Sequence, residues 1–302
     1  MGNQNKNVLL NSARHLVAHF ISRLEWQTSQ FLDLFPSTPR DFAWKVRRRM
    51  RLDRNPLFIE VQDKYGVRYF AEKRGVRTAE LFYVTEDPDT IPFDALPRDY
   101  FLKANHGCKW NILCKDGELF YYSDGEDLIG RHNFSMRNIT REECVRYCRQ
   151  WLKTTCSRSQ WAYQHIPPKI VIEEVLEQKG GGVLVDYRCF TFNGSVKAVQ
   201  ISSPELKSRN SNMFVDANWQ ELKLTVYRES TPNPPLERPD NFDEIIHAAE
   251  RLGEGLDFAR VDLYNTTRGV TLAEVSIYPE AGEAESPTAC PVFNQWLGDH
   301  WQ

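Results

Sequence analysis

Two runs near the end of the chain constrain the fold more than any other feature. Arg260-Val-Asp262-Leu-Tyr264 and Ala273-Glu274-Val-Ser276 alternate polar and apolar residues with a period of two, the pattern of half-buried strands. The short stretch Asn265–Gly269 between them predicts an antiparallel hairpin. Arg260 and Asp262 then share one strand face and Glu274 and Ser276 share a face of the next, while Val261, Leu263, Ala273 and Val275 turn to the core. A guanidinium and two carboxylates would converge on one wet surface. Carboxylates so placed repel unless a cation lies between them. Mg²⁺ accepts carboxylate oxygens and leaves positions for phosphate oxygens, and a pair of such ions can bridge a polyphosphate. The plainer alternative is a surface salt bridge among Arg260, Asp262 and Glu274.

Composition narrows the class. The chain has 302 residues, 41% of them hydrophobic, enough for two lobes or one large domain with ample core. Its 38 Lys+Arg against 41 Asp+Glu leave a formal charge of −3, which argues against a dedicated nucleic-acid binder. No window of about 18 uninterrupted apolar residues exists to span a bilayer. The first twenty residues lack an apolar core with a small-residue cleavage site, so a cytoplasmic protein is expected. Seven cysteines, an odd number without a CxxC pair, fit reduced thiols. Cys144 and Cys148 are spaced for one helix face, with no further metal ligands evident near them.

Along the chain, residues 7–50 read as helical, broken at Pro36 and Pro39. A basic run follows, Lys45, Arg47, Arg48, Arg49, Arg51 and Arg54. Such a run is expected to be a solvated helix face, the alternative being a contact with anionic lipid at the inner membrane face or with a polysaccharide-synthesis complex. The expected division is a helical N-terminal extension (1–55), a small α/β subdomain (56–98), a small lobe (99–176) and a large lobe (177–302). Asp116-Gly117 and Asn193-Gly194 predict tight hairpin turns. Thr140 with Glu143 predicts a capping box opening a helix over about 140–155, and FDEIIHAAERLGEGL reads as an amphipathic helix. Gly180-Gly181-Gly182 reads as a flexible joint.

Upstream residues support a phosphate site. Phe101-Leu-Lys103-Ala-Asn105-His106-Gly107 places a lysine on a strand leading into a polar loop that ends at Trp110-Asn111. A strand lysine and loop N–H groups can hold phosphates by point charge and oriented donors. Glu173-Glu174 stand at the end of a β-branched run, where backbone groups and a carboxylate can hold a base and ribose. The bland readings are a simple turn and a solvated strand end.

Taken in order, these pieces resemble the ATP-grasp superfamily and, within it, the TupA-like branch associated with teichuronopeptide biosynthesis. The residues that carry the likeness run from Asp63-Lys-Tyr-x-Val-Arg68 and Ile91-x-Phe-Asp-x-Leu-Pro97 to Phe101-x-Lys103-x-Asn-His-Gly107 and Trp110-Asn-Ile112. Ile170-x-Ile-Glu-Glu174, Asp186-Tyr-Arg-x-Phe190 and Phe192-Asn-Gly194 continue it, and Arg260-Val-Asp-Leu-Tyr264 and Glu274-x-x-x-Tyr-Pro279 with Gly282 close it. The likeness covers about 56–285 and leaves the helical N-terminus outside.

The resemblance implies an α+β ATP-grasp fold, two α+β lobes gripping ATP, with a helical N-terminal extension. It implies an ATP- and Mg²⁺-dependent carboxylate–amine ligase, working through an acyl phosphate on a sugar acid or amino acid in surface-polysaccharide or related biosynthesis. Lys103 would bind the nucleotide phosphates, under a loop of Asn105, His106, Gly107 and Lys109. Glu173, Glu174, Val175 and Leu176 would hold the adenine, and Arg188 would reach a phosphate. Asp262 and Glu274 would hold Mg²⁺, and Arg260 would stabilise the acyl phosphate and the tetrahedral species after it. Lys64, Arg68, Arg209, Asn210 and Ser276 are the candidates for the acid or amine substrate. The branch favours Ser-Gly after His-Gly, where this chain has Cys108-Lys109: either a further phosphate contact or a stiffer loop. The rivals are a metal-dependent glycosyltransferase using Asp87-Pro88-Asp89, a glycan kinase, and a non-catalytic nucleotide-binding scaffold.

Overall fold

A computed structural model describes residues 41–126, 132–202, 213–222, 236–283 and 290–302. The expected helices before Pro39 and the candidates Arg209 and Asn210 lie outside them. In the described residues, helix α1 (Phe42–Leu52) starts at Asp41, whose side chain accepts the Trp44 N–H at 2.7 Å. Helices α2 (Leu57–Gln62) and α3 (Gly66–Glu72) follow. Strands β1 (Arg77–Thr78) and β2 (Leu81–Thr85) come next, then β3 (Tyr100–Ala104), β4 (Asn111–Lys115), β5 (Glu118–Glu126) and β6 (His132–Ile139). Helix α4 (Arg141–Leu152) leads to β7 (Ile170–Glu173), β8 (Asp186–Phe192), β9 (Ser195–Ser202) and β10 (Met213–Val215). The order ends with α5 (Phe242–Gly253), β11 (Phe258–Thr266), β12 (Gly269–Ser276) and α6 (Pro291–His300).

The strands form two six-stranded sheets, β1-β12-β11-β8-β9-β10 and β2-β7-β3-β4-β5-β6. Every pairing is antiparallel except β1 with β12. The stretch 56–98 thus gives one strand to each sheet.

Each sheet packs its apolar face on a helix. Cys144, Cys148 and Trp151 are spaced for one face of α4, and all three are buried with Leu102, Ile112, Ile170 and Ile172. The capping box is present, with the Thr140 side chain accepting the Glu143 N–H and Glu143 accepting the Thr140 N–H. On the first sheet, α5 buries Phe242, Ile245, Ala249 and Leu252 beside Val261, Leu263 and Val199. Helix α1 joins the same core, with the Phe42 ring 4.8 Å from Phe258 and 5.6 Å from Trp301. Both hairpin turns form with two successive left-handed residues, Asp116-Gly117 and Asn193-Gly194, the backbone that matches strand twist.

The basic run departs from a solvated face. Arg49 is 3% exposed, paired with Asp257, donating to Phe258 O and Ile277 O, with its guanidinium 4.3 Å from the Trp301 ring centroid. Lys45 donates to Gly298 O and Trp301 O, and Arg47 to Gly282 O. Arg48 stays exposed. Arg49 turns inward because it shares the buried α1 stripe with Phe42, Val46 and Met50, where the Phe258 and Ile277 carbonyls need a donor, whereas Arg48 and Arg54 keep to the surface.

Candidate active site

The last hairpin pairs as its alternation requires. Arg260 stands opposite Ser276 and Asp262 opposite Glu274, with a two-residue turn closed by Thr266 and Gly269. A β-bulge lies beyond Asp262: Leu263 faces Leu272, so Ala273 has no partner and is half-buried rather than pointing into the core. Leu272 takes the core position instead. Across the sheet, Arg188 of β8 pairs with Asp262 on one side and Gln200 of β9 on the other. A polar row Gln200–Arg188–Asp262–Glu274 therefore crosses four neighbouring strands. Gln200 is buried and was not legible in sequence, because its place in the row depends on β8–β9 register.

Arg260 grips Asp262 with two bonds, Nε to Oδ1 at 2.8 Å and Nη2 to Oδ2 at 2.7 Å. It also reaches Glu274 and Glu280, each at 3.4 Å. Arg188 donates to Asp186 at 2.8 Å. Burial pushes the Asp262 carboxyl up against the pull of Arg260. At Glu274 burial also pushes up, but Lys64, Arg260, Lys103 and Arg188 outweigh it and hold the group below its ordinary value. Four cations, drawn from α2–α3, both sheets and the hairpin itself, thus bear on one carboxylate.

The second sheet supplies Lys103. Its ammonium lies 2.5 Å from Glu173 Oε1, and Arg68 reaches Glu173 Oε2 at 3.1 Å. Arg68 also donates to Ala79 O, so its guanidinium ties α3 to this strand end. Glu174 is held by Arg77 at 2.9 Å and Arg268 at 2.8 Å, and accepts the Glu80 N–H at 3.0 Å. Val175 and Leu176 continue the segment half-buried.

The loop after β3 is pinned from below. Asn105 Nδ2 donates to Asp63 and to Pro167 O, while its Oδ1 accepts the Lys169 N–H. His106 lies buried, Nε2 at 3.1 Å from Trp151 O and 3.2 Å from Thr154 O. These two side chains face inward and set where the loop runs, so what they offer a ligand is position. Lys64 links three parts: its N–H donates to Asn105 O, its ammonium to Gly107 O at 2.8 Å, and that ammonium lies 3.7 Å from Glu274. Asp63 and Lys64 thus bind the Asp-Lys-Tyr motif to the Asn-His-Gly motif. At Gly107 the Trp110 indole comes so close that a Cβ would meet its Cε3 at 2.1 Å. Lys109 takes a left-handed φ of 61°, a conformation that glycine adopts without strain.

Asp262 and Glu274 fit a hard divalent cation. Both are oxygen donors, and directly opposed cross-strand residues have Cβ atoms about 4.5–5.5 Å apart, within reach of one ion. Among the described residues no group of three or more His, Cys, Asp or Glu is arranged to hold a metal, so phosphate or water oxygens would complete the shell. In Asp87-Pro88-Asp89, Asp87 accepts the Asp89 N–H at 3.1 Å and Asp89 forms an exposed pair with Arg149.

The chain belongs to the TupA-like ATPgrasp family, whose model matches residues 44–302. The match is wider than 56–285: it takes in most of α1, including the core residues Val46 and Met50. No curated protein matches the sequence. Among solved structures the chain is similar to D-alanine–D-alanine ligase from Bacillus anthracis complexed with ATP (12% identity, TM-score 0.43, 80% of this chain and 63% of that one). It is also similar to the D-alanine–D-alanine ligase of Helicobacter pylori (13%, 0.44, 80% and 61%). A third is N5-carboxyaminoimidazole synthetase from Staphylococcus aureus complexed with ADP (11%, 0.41, 80% and 52%). The chain spans between half and two thirds of the length of these proteins. No helix among the described residues is long and apolar enough to cross a membrane.

Proposed function

We propose that the chain is an ATP- and Mg²⁺-dependent carboxylate–amine ligase that forms an amide through an acyl phosphate. The acid is a sugar acid or amino acid used in surface-polysaccharide or related biosynthesis. One observation carries this reading: Lys103, Arg188, Arg260 and Lys64 bear together on a carboxylate that stands directly opposite another. Phosphoryl transfer asks for positioning and charge neutralisation more than for a covalent nucleophile, and this site is built of those parts.

Each residue then has a task. Lys103 leaves Glu173 and holds nucleotide phosphate, with Arg68 keeping Glu173 in place. The backbone of 173–176 holds the adenine. Asp262 and Glu274 would hold Mg²⁺, whose charge would offset the negative charge developing on the phosphate. Arg188 binds a phosphate oxygen. The substrate carboxylate attacks the γ-phosphorus and ADP leaves; the amine then attacks the acyl carbon and phosphate leaves. Arg260, already desolvated, stabilises the oxyanion of that second step. The loop from Asn105 to Asn111 covers the phosphates and keeps water from the acyl phosphate. Ser276, opposite Arg260 in register, would contact the substrate. Lys64 serves the loop and Glu274 rather than the acceptor.

Product analysis tests the reading. A ligase releases ADP and phosphate in equal amounts only when acid and amine are both present. ADP without free phosphate would mean a glycan kinase. No turnover with any uronic or amino acid, alongside tight ATP binding, would mean a scaffold.

A further inference from the structure

The cysteine in the phosphate loop has a partner. The Cys108 N–H donates to Cys156 Sγ at 3.3 Å, and the Cys108 thiol lies 3.3 Å from Tyr163 Oη. With an N–Cα bond of about 1.46 Å, the Cys156 sulfur is under about 5 Å from the Cys108 Cα, within the span of a disulfide. Cys108 is exposed and Cys156 half-buried, whereas Cys114, Cys144, Cys148, Cys189 and Cys290 are buried. Only this pair, among the described cysteines, is open to a dissolved oxidant. His106 already fastens the same two segments, through Trp151 O and Thr154 O. Hydrogen bonding to Cys156 and the nearby Lys64 charge lower the Cys108 thiol to about 6, so it is largely thiolate at neutral pH; the neighbouring Cys108 pushes Cys156 up.

We infer that Cys108 and Cys156 form a reversible disulfide that tethers the phosphate loop to the turn after α4 and switches nucleotide binding off. The oxidant is a low-molecular-weight disulfide such as oxidised glutathione. The Cys108 thiolate attacks one of its sulfurs and expels a glutathione thiolate, giving a mixed disulfide. Cys156, deprotonated by solvent, attacks the Cys108 sulfur and expels the second glutathione. Two protein thiols are oxidised and one glutathione disulfide is reduced. The new bond fixes the loop at Cys108, next to the left-handed Lys109, and so restrains the segment proposed to cover the phosphates. The effect on ATP rests on the proposed nucleotide site; the formation of the bond does not.

The full chain is equilibrated with oxidised glutathione, and its peptides are mapped without reduction. A Cys108–Cys156 crosslinked peptide is expected, with ATP affinity in Mg²⁺ lowered at least tenfold and restored by dithiothreitol. Cys156→Ser should give no crosslinked peptide under the same oxidation, its Cys108 being recovered as the glutathione adduct. Recovery of Cys108 in the wild-type chain only as the glutathione adduct would overturn the pairing. A crosslink with unchanged affinity would overturn the switch. If reduced protein binds no ATP, the nucleotide reading fails, and the peptide map still decides the pairing.

Discussion

Gly107→Ala probes how the phosphate loop is held. The added Cβ would sit 2.1 Å from Trp110 Cε3, 2.7 Å from Cδ2 and 2.9 Å from Cζ3. Ordinary contact begins near 3.4 Å, so the indole must retreat by more than an ångström. It has little room, being stacked on Trp151 at 6.4 Å and set edge-on to His106 at 5.5 Å. Overpacking of this kind costs about 1–3 kcal/mol, which lowers the melting temperature of a domain this size by about 2–10 °C. The retreat also drags Gly107 O away from the Lys64 ammonium, which it accepts at 2.8 Å. ATP affinity should therefore fall about tenfold, the equivalent of about 1.4 kcal/mol. Calorimetric melting, ATP titration and tryptophan emission would follow the three consequences. Gly107→Ala/Trp110→Leu should recover part of both losses, because the smaller side chain clears the space. Wild-type melting and affinity in the single variant, or no recovery in the double, would refute the packing argument.

Lys103→Ala should weaken ATP binding by about 10–100-fold, the worth of one charge-assisted bond of about 1.5–3 kcal/mol, with the fold kept; titration of ATP checks it. Arg49→Met should destabilise by about 3 kcal/mol, since two carbonyls and Asp257 lose their donor, while Arg48→Ala stays within about 0.5 kcal/mol. Denaturant unfolding of the pair separates a structural arginine from a surface one. Cys108 alkylation by iodoacetamide should rise through about pH 6 and then level off, because the thiolate is the reactive form and exists above that pH. Cys156→Ser should move that midpoint.

Local chemistry was readable where neighbours in sequence are neighbours in space. The turns at Asp116-Gly117 and Asn193-Gly194, the Thr140 capping box and the facing of Asp262 and Glu274 all follow from short-range rules. What was hidden depends on pairings between distant segments. Alternation counts residues in step and cannot see the bulge at Ala273. Arg49 looked like one surface charge among six until Asp257 and Trp301 met it. Lys64 and Arg68 read equally as contacts for an acceptor carboxylate or as members of structural ion pairs, and only the fold shows Lys64 bonded to Gly107 O and Arg68 to Glu173. The left-handed φ of Lys109 also gives a physical reason for the glycine favoured there.

The central claim is that the opposed carboxylates hold the metal that ATP binding needs. ATP titrated calorimetrically into wild type and Asp262→Asn, each with and without Mg²⁺, tests it directly. The account predicts Mg²⁺-dependent binding in wild type and its loss, by about 10²-fold or more, in the variant. Equal binding by the two proteins in Mg²⁺ would contradict it.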